Sequence, residues 1–319
     1  MLEWNELSLA VPAGGRWVEA VSKVSLALAP GRALGLVGES GCGKTLTTLA
    51  ALRLTDHLGV RRTGGDVRLD GRSIFAMSEQ ELLAVRGGEI AMVFQEPMTA
   101  LNPVFTIGAQ ITDVIRRHLG VSKARAREIA RERLAEVGLA PPDAVLMSYP
   151  DALSGGMRQR ALIAMALAAQ PRFLLADEPT TALDVSVQKR IVLLLGELQR
   201  RHRLGLLLVT HDFGLVAELC DEVAVIYAGQ IVEQAEAEAI FDRPRHPYTQ
   251  ALLACRPEAH QRGELPAPIP GQAPRVGKWP QGCRFAPRCR YAEARCSAPP
   301  PWREVEDGHF VRCVREDAA

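Results

Sequence analysis

The sequence predicts an α/β domain followed by a small cysteine-rich module, and three observations carry that prediction. Short apolar runs alternate with helix-period segments from residue 2 to about 240. A glycine-rich turn lies between one of those runs and a helical segment. Beyond residue 257 the composition shifts to proline, glycine and arginine, and four of the seven cysteines fall in the last thirty-seven residues.

The predicted strands are "ALGLVG" (33–38), "IAMVFQ" (90–95), "FLLAD" (173–177), "GLLLVTHD" (205–212) and "VAVIYAGQIVE" (223–233). Several are apolar throughout, as expected of strands buried on both faces of a sheet. "SKARAREIARERLAEVGL" (122–139) reads as a charged amphipathic helix that starts from a Ser122 N-cap. It belongs to a helical insert placed at about 96–170. After "HPYTQALLACRP" (246–257), the stretch "LPAPIPGQAPRVGKWPQG" (265–282) is too proline-rich for a helix or a central strand. The expected division is a main domain over 1–245 and a loop-dominated module over 246–319, with no internal repeat.

Thirty-eight basic and thirty-seven acidic residues leave a formal charge of +1, so no global field recruits nucleic acid or an anionic membrane. The longest apolar run, "ALIAMALAA" (161–169), is far shorter than the roughly 18 residues of a spanning helix. The N-terminus lacks the basic-then-apolar order of a signal peptide. These features predict a cytoplasmic protein attached to a membrane only through partners. In a reducing compartment, seven cysteines point to a metal or cluster site rather than to disulfides.

"GESGCGKT" (38–45) follows a predicted strand and opens a helix. Gly38, Gly41 and Gly43 let the backbone turn and aim its N–H groups at an anion, aided by the helix N-terminus. Lys44 is suited to the β- and γ-phosphates of a nucleotide, and Thr45 to a Mg²⁺ shell. Glu39, Ser40 and Cys42 complete the loop, and Thr47 just inside the helix joins the nucleotide-binding set. Cys42 holds a variable position where only a small side chain is required. In "FLLADEPTTALD" (173–184) a buried strand ends at two acids, which suits Asp177 to Mg²⁺ and Glu178 to polarising an attacking water. "LSGGMRQR" (153–160) places Ser154, Gly155 and Gly156 before a helix, a second set of free N–H groups.

The phosphate loop, "LSGGM", "LLADEP", "TALD" and "VTHD", in this order, resemble the ATP-binding subunit of an ABC transporter. The resemblance implies a P-loop NTPase fold: a RecA-like core with an antiparallel β subdomain and a helical subdomain. It also implies a head-to-tail pair of such domains, in which Ser154, Gly155 and Gly156 act on the ATP held by the partner's phosphate loop. By the same carry-over Gln95 touches Mg²⁺ and senses the membrane subunit, Asp184 lies in the dimer-contact loop, and His211 is the switch histidine on the γ-phosphate. The family stacks an aromatic residue on adenine; the candidate is Trp17, for which packing on a strand is the alternative. Met157 departs from the glutamine that commonly ends the signature motif, with activity expected to survive.

"VFQEPMTALNPVFTIGAQI" (93–111), "HPYTQALL" and the terminal "GCRFAPRCRYAEARC" narrow the resemblance to the oligopeptide/dipeptide importer ATPases of bacteria. This implies two permease subunits, a second homologous ATPase, an extracytoplasmic solute-binding protein, and a peripheral place on the cytoplasmic face of the inner membrane. Peptide is the favoured cargo, with nickel or glutathione as alternatives. A soluble ABC ATPase acting on nucleic acid fits less well, because no sustained heptad and no second phosphate loop is present. The spacing of Cys283, Cys289, Cys296 and Cys313 matches neither zinc knuckles nor the common ferredoxin runs. The resemblance implies a [4Fe–4S] cluster on these four; zinc and unliganded thiols remain open. Arg284, Arg288, Arg290, Arg295 and Arg312 stand beside them in sequence, suited to compensate a cluster's charge, and a redox-sensing role is compatible. Cys220 and Cys255 are expected to be packing residues.

Overall fold

The computed structural model describes residues 1–95, 100–180, 183–256 and 268–315, apart from the side chain of Val185. The expected segments 93–111, 173–184 and 265–282 are therefore described only in part. The chain forms two compact units, one built from Met1–Ala27, Leu34–Phe75 and Thr210–Ala319, the other from Leu28–Ala33 and Ala76–Val209.

The first unit opens with strands β1 (Leu2–Ala13), β2 (Arg16–Leu28) and β3 (Ala33–Val37), helix α1 (Lys44–Ala50), and strands β4 (Arg61–Leu69) and β5 (Arg72–Ser73). β1 and β4 run antiparallel within a four-stranded sheet of order β2-β1-β4-β5. β1 alternates buried and exposed residues at its start, and its Trp4 is fully buried with the indole N–H donated to the Thr47 carbonyl at 2.8 Å. That bond fixes α1 against the sheet and satisfies the indole's one donor.

The chain then enters the second unit with α2 (Glu79–Gly88), β6 (Ile90–Val93), α3 (Ile107–Leu119), α4 (Lys123–Glu136), α5 (Pro142–Met147), α6 (Gly155–Ala166), β7 (Phe173–Asp177), α7 (Val185–His202) and β8 (Gly205–Thr210). β6, β7 and β8 are parallel neighbours with every residue buried, as their unbroken apolar sequences predicted. Ser122 caps α4 by accepting from the Arg125 N–H, also as predicted. α2 begins with a full capping box between Ser78 and Glu81.

Back in the first unit come α8 (Phe213–Leu219), β9 (Glu222–Tyr227), β10 (Gln230–Glu236), α9 (Ala237–Asp242), α10 (Pro247–Ala254), β11 (Trp302–Glu306) and β12 (His309–Arg312). β9 is parallel to β3 and antiparallel to β10, so the run read as one strand at 223–233 is a hairpin turning at Ala228 and Gly229. β12 pairs with β10, and β11 with β12, so the loop-rich C-terminal stretch also contributes a hairpin to the sheet. Its anchor is Glu233 on β10, fully buried, which accepts from the backbone N–H groups of Arg245 and His246 and pairs with His309 Nε2 at 2.8 Å.

His246 caps α10 through Nδ1, which accepts from the Tyr248 N–H at 3.0 Å. Burial pushes its pKa down to about 4, against the opposing pull of Glu233, so the native imidazole stays neutral. The unfolded chain protonates this ring near pH 6.5 and the native state does not. His246 therefore contributes stability in full above pH 6.5 and loses it as the pH falls towards 4. The stability advantage of the wild type over His246→Asn should shrink by up to about 3 kcal/mol between pH 7 and pH 4. Denaturant melts at stepped pH check this, and a constant difference would refute it.

Candidate active site

Residues 38–45 leave β3 and turn into α1. Gly43 lies at φ 107°, a left-handed conformation that side-chain-bearing residues rarely adopt. At Gly38 the constraint is space, because a Cβ there would stand 2.2 Å from the Ile226 carbonyl oxygen and 2.9 Å from Cys42 Sγ. Lys44 is buried with its ammonium inside the loop, donating to the carbonyls of Gly38 at 2.8 Å and Glu39 at 3.1 Å. Thr45 and Ser40 are exposed. Thr47 is fully buried and gives its hydroxyl to the Gly43 carbonyl at 2.9 Å. Cys42 is buried as well, and burial raises its thiol pKa despite the nearby Lys44.

Within the same unit Trp17 is 51% exposed. His211 follows β8 and is exposed, and Asp212 caps α8 by accepting from the N–H groups of Gly214 and Leu215. The loop is fastened from outside at Glu39. Its N–H donates to the Tyr248 hydroxyl at 2.9 Å, and its carboxylate is gripped by both terminal nitrogens of Arg288, at 2.6 and 2.9 Å. Sequence reasoning assigned neither group to the loop. "HPYTQALL" was legible as a family mark, but nothing local tied its tyrosine to a loop 209 residues away.

The second unit brings together Gln95, Asp177 and Glu178. β7 delivers Asp177 at its end with only 3% exposure. Glu178 follows at φ 45° and donates its N–H to the Val209 carbonyl. Gln95, just beyond β6, donates from Nε2 to the Glu178 carboxylate at 3.3 Å. Ser154 caps α6, which starts at Gly155 and Gly156. Asp184 caps α7, and hydrogen bonds from the Ser186 hydroxyl and the Val187 N–H lower its pKa.

Cys283, Cys289, Cys296 and Cys313 all line one cavity of about 10 Å³, with Phe285, His246 and Tyr291 on its walls. All four are free thiols. Burial pushes Cys283 up to about 11 and raises Cys289. Among the described residues no group of three or more His, Cys, Asp or Glu side chains is arranged to hold a metal ion. The arginines expected to compensate a cluster have other partners. Arg288 is on Glu39, Arg284 lies 3.6 Å over Trp279 and donates to the Ala228 carbonyl, Arg312 donates to Ile231, Arg295 pairs with Glu293, and Arg290 covers Tyr291. Cys220 is buried, as expected of a packing residue, and Cys255 is half-buried.

Among the described residues no helix is long and apolar enough to cross a membrane. The ABC transporter family model matches residues 21–181, and the model for the C-terminal region of oligopeptide/dipeptide transporters matches 232–296. An ATP-binding protein of Brucella abortus (strain 2308) is 46% identical over 98% of this chain and 94% of its own length. The dipeptide transport ATP-binding protein DppD of Escherichia coli (strain K12) is 46% identical over 92% of this chain and 90% of its own. Among solved structures, the dimeric ATP-binding cassette MJ0796 bound to ADP and Pi aligns with a TM-score of 0.66 at 26% identity. That alignment covers 74% of this chain and 99% of the cassette.

The crowding at Gly38 predicts that Gly38→Ala distorts the loop, lowering the melting temperature by several degrees and weakening MgATP binding on the order of tenfold or more. A melt and a fluorescent-nucleotide titration test it; wild-type values in both would show that the loop has room.

Proposed function

Because the chain belongs to the ABC transporter ATPases of the oligopeptide/dipeptide branch, we propose that it couples ATP hydrolysis to peptide import through the residues assembled above. The chain is the ATPase subunit of a peptide or dipeptide import system. The observation that carries its chemistry is the loop at 38–45 with the Lys44 ammonium folded into it. Those two carbonyl contacts keep Lys44 where a β- or γ-phosphate oxygen can replace them as acceptor. ATP and Mg²⁺ are typical of this family, and the oxygen donors Thr45, Gln95 and Asp177 suit a hard divalent cation. When bound, Mg²⁺ supplies charge neutralisation at the phosphates.

Glu178 is assigned to water activation, with Gln95 beside its carboxylate holding it in place and His211 assigned to the γ-phosphate. Ser154, Gly155, Gly156 and Asp184 are assigned to a second ATPase subunit's nucleotide and contact surface, and Trp17 to adenine. The proposed division keeps the nucleotide machinery in 1–245, helical part 96–170, and the C-terminal module in 246–319. Family membership implies permease and binding-protein partners. We infer two permeases and a sibling ATPase, which place the chain peripherally on the cytoplasmic membrane face. The second unit supports this with exposed Val104, Phe105, Met147 and Tyr149, and with a cavity of about 290 Å³ between α3, α4 and α5.

Glu178→Gln should lower steady-state hydrolysis on the order of a hundredfold or more while keeping MgATP bound, and Lys44→Ala should lose binding. Robust turnover by either variant defeats the assignment.

For the four C-terminal cysteines we propose a soft metal, a [4Fe–4S] cluster or zinc; their shared cavity supports this, although as they stand they form no metal-binding group. That cavity has room for about one water-sized sphere, less than a cubane needs. Iron, sulfide and zinc analysis after anaerobic purification decides the matter. About four irons and four sulfides, lost in Cys289→Ser, support the cluster; one zinc supports the alternative, and no metal removes both.

A further inference from the structure

Glu39 is the one acid in the phosphate loop, and every polar group it has is occupied. Tyr248 accepts its N–H, the Lys44 ammonium donates to its carbonyl, and Arg288 grips its carboxylate with a two-pronged fork. The Arg288 side chain is only 5% exposed, and its Nε is fixed by the Pro270 carbonyl at 2.9 Å. A fork fixed at its neck and buried along its length has little freedom to leave. It reaches the loop from 249 residues further along the chain, out of the cysteine-bearing segment.

A carboxylate one residue past Gly38 stands at the rim of a cradle for a triphosphate. Left uncompensated, it repels that ligand and can turn into the cradle to compete for the Lys44 ammonium. We propose that Arg288 is a positioning residue for nucleotide binding, neutralising Glu39 and holding it away from the phosphate cradle. The C-terminal segment thereby sets the ATP affinity of the loop without touching the nucleotide. The proposal rests on reading residues 38–45 as the ATP phosphate site.

The test uses the full-length chain and MgATP, with affinity read by nucleotide fluorescence and turnover by phosphate release. Arg288→Ala should raise the Kd and KM for MgATP on the order of tenfold or more, with kcat at saturation little changed. Adding Glu39→Gln to Arg288→Ala should restore affinity to within about threefold of wild type, because the uncompensated charge is gone. A merely structural Arg288 would not be rescued by that second change. Unchanged affinity in Arg288→Ala, or weakened affinity that Glu39→Gln does not restore, overturns the proposal. If Arg288→Ala does not fold, Arg288→Lys takes its place. The lysine keeps the charge but loses the fork, so its weakened binding should be restored in the same way by Glu39→Gln. Lys44→Ala run alongside separates the two claims. Wild-type MgATP binding by that variant removes the phosphate-site reading itself and this proposal with it, whereas lost binding there leaves the Arg288 result to stand or fall alone.

Discussion

Three stretches of backbone meet at the phosphate loop, and the rest of the first unit is arranged around their contact. The Gly229 N–H donates to the Cys42 carbonyl, and the Ser22 N–H donates to the Gly229 carbonyl, both at 2.8 Å. The turn between β9 and β10 is thus wedged between the loop and β2 by main-chain bonds. Such bonds leave no side chain to substitute, so the loop's shape is set by how the strands are placed. Side chains add to this from outside: Arg284 holds the Ala228 carbonyl of the turn, Tyr248 and Arg288 hold Glu39 of the loop, and Trp4 holds the Thr47 carbonyl of the helix that follows it.

The second unit solves a different problem, that of presenting charge at a strand end without letting it collapse onto the protein. Polar side chains away from the strand ends are committed by capping, as Asp184 and Ser154 are to the starts of α7 and α6. Glu178 meets the problem through an unusual backbone, its N–H tied to Val209 and its carboxylate turned to Gln95. A left-handed conformation at a non-glycine residue is costly and persists only where neighbours over-determine it. Here the neighbours are β8 on one side and the residue following β6 on the other.

Much of this was legible in the sequence because its carriers are local. The unbroken apolar runs at 33–37, 90–93, 173–177 and 205–210 became buried strands, and the Ser122 cap and the loop glycines fell where their chemistry requires. The hairpin of β9 and β10 was read as a single strand over 223–233, because Ala228 and Gly229 interrupt an otherwise apolar run too briefly to mark a turn. The arginines near the cysteines were the hardest to place. Adjacency in sequence suggested that they face the sulfurs, yet Arg288 and Arg284 turn to partners 249 and 56 residues away. Periodicity and motif spacing carry no information about pairings at such separations.

The hairpin of β11 and β12 also gives the sheet its border. Without β12, β10 would present a row of bare N–H and C=O groups, a template for another chain's strand. On that side the outermost strand is β11, five residues long, bearing Arg303, Glu304 and Glu306 and ending in a bulged register against β12. Short length, charge and irregular pairing are the features that discourage edge-to-edge association. The last stretch of this chain therefore acts as a selvedge, finishing a sheet whose central strands are too apolar to be left with an open margin.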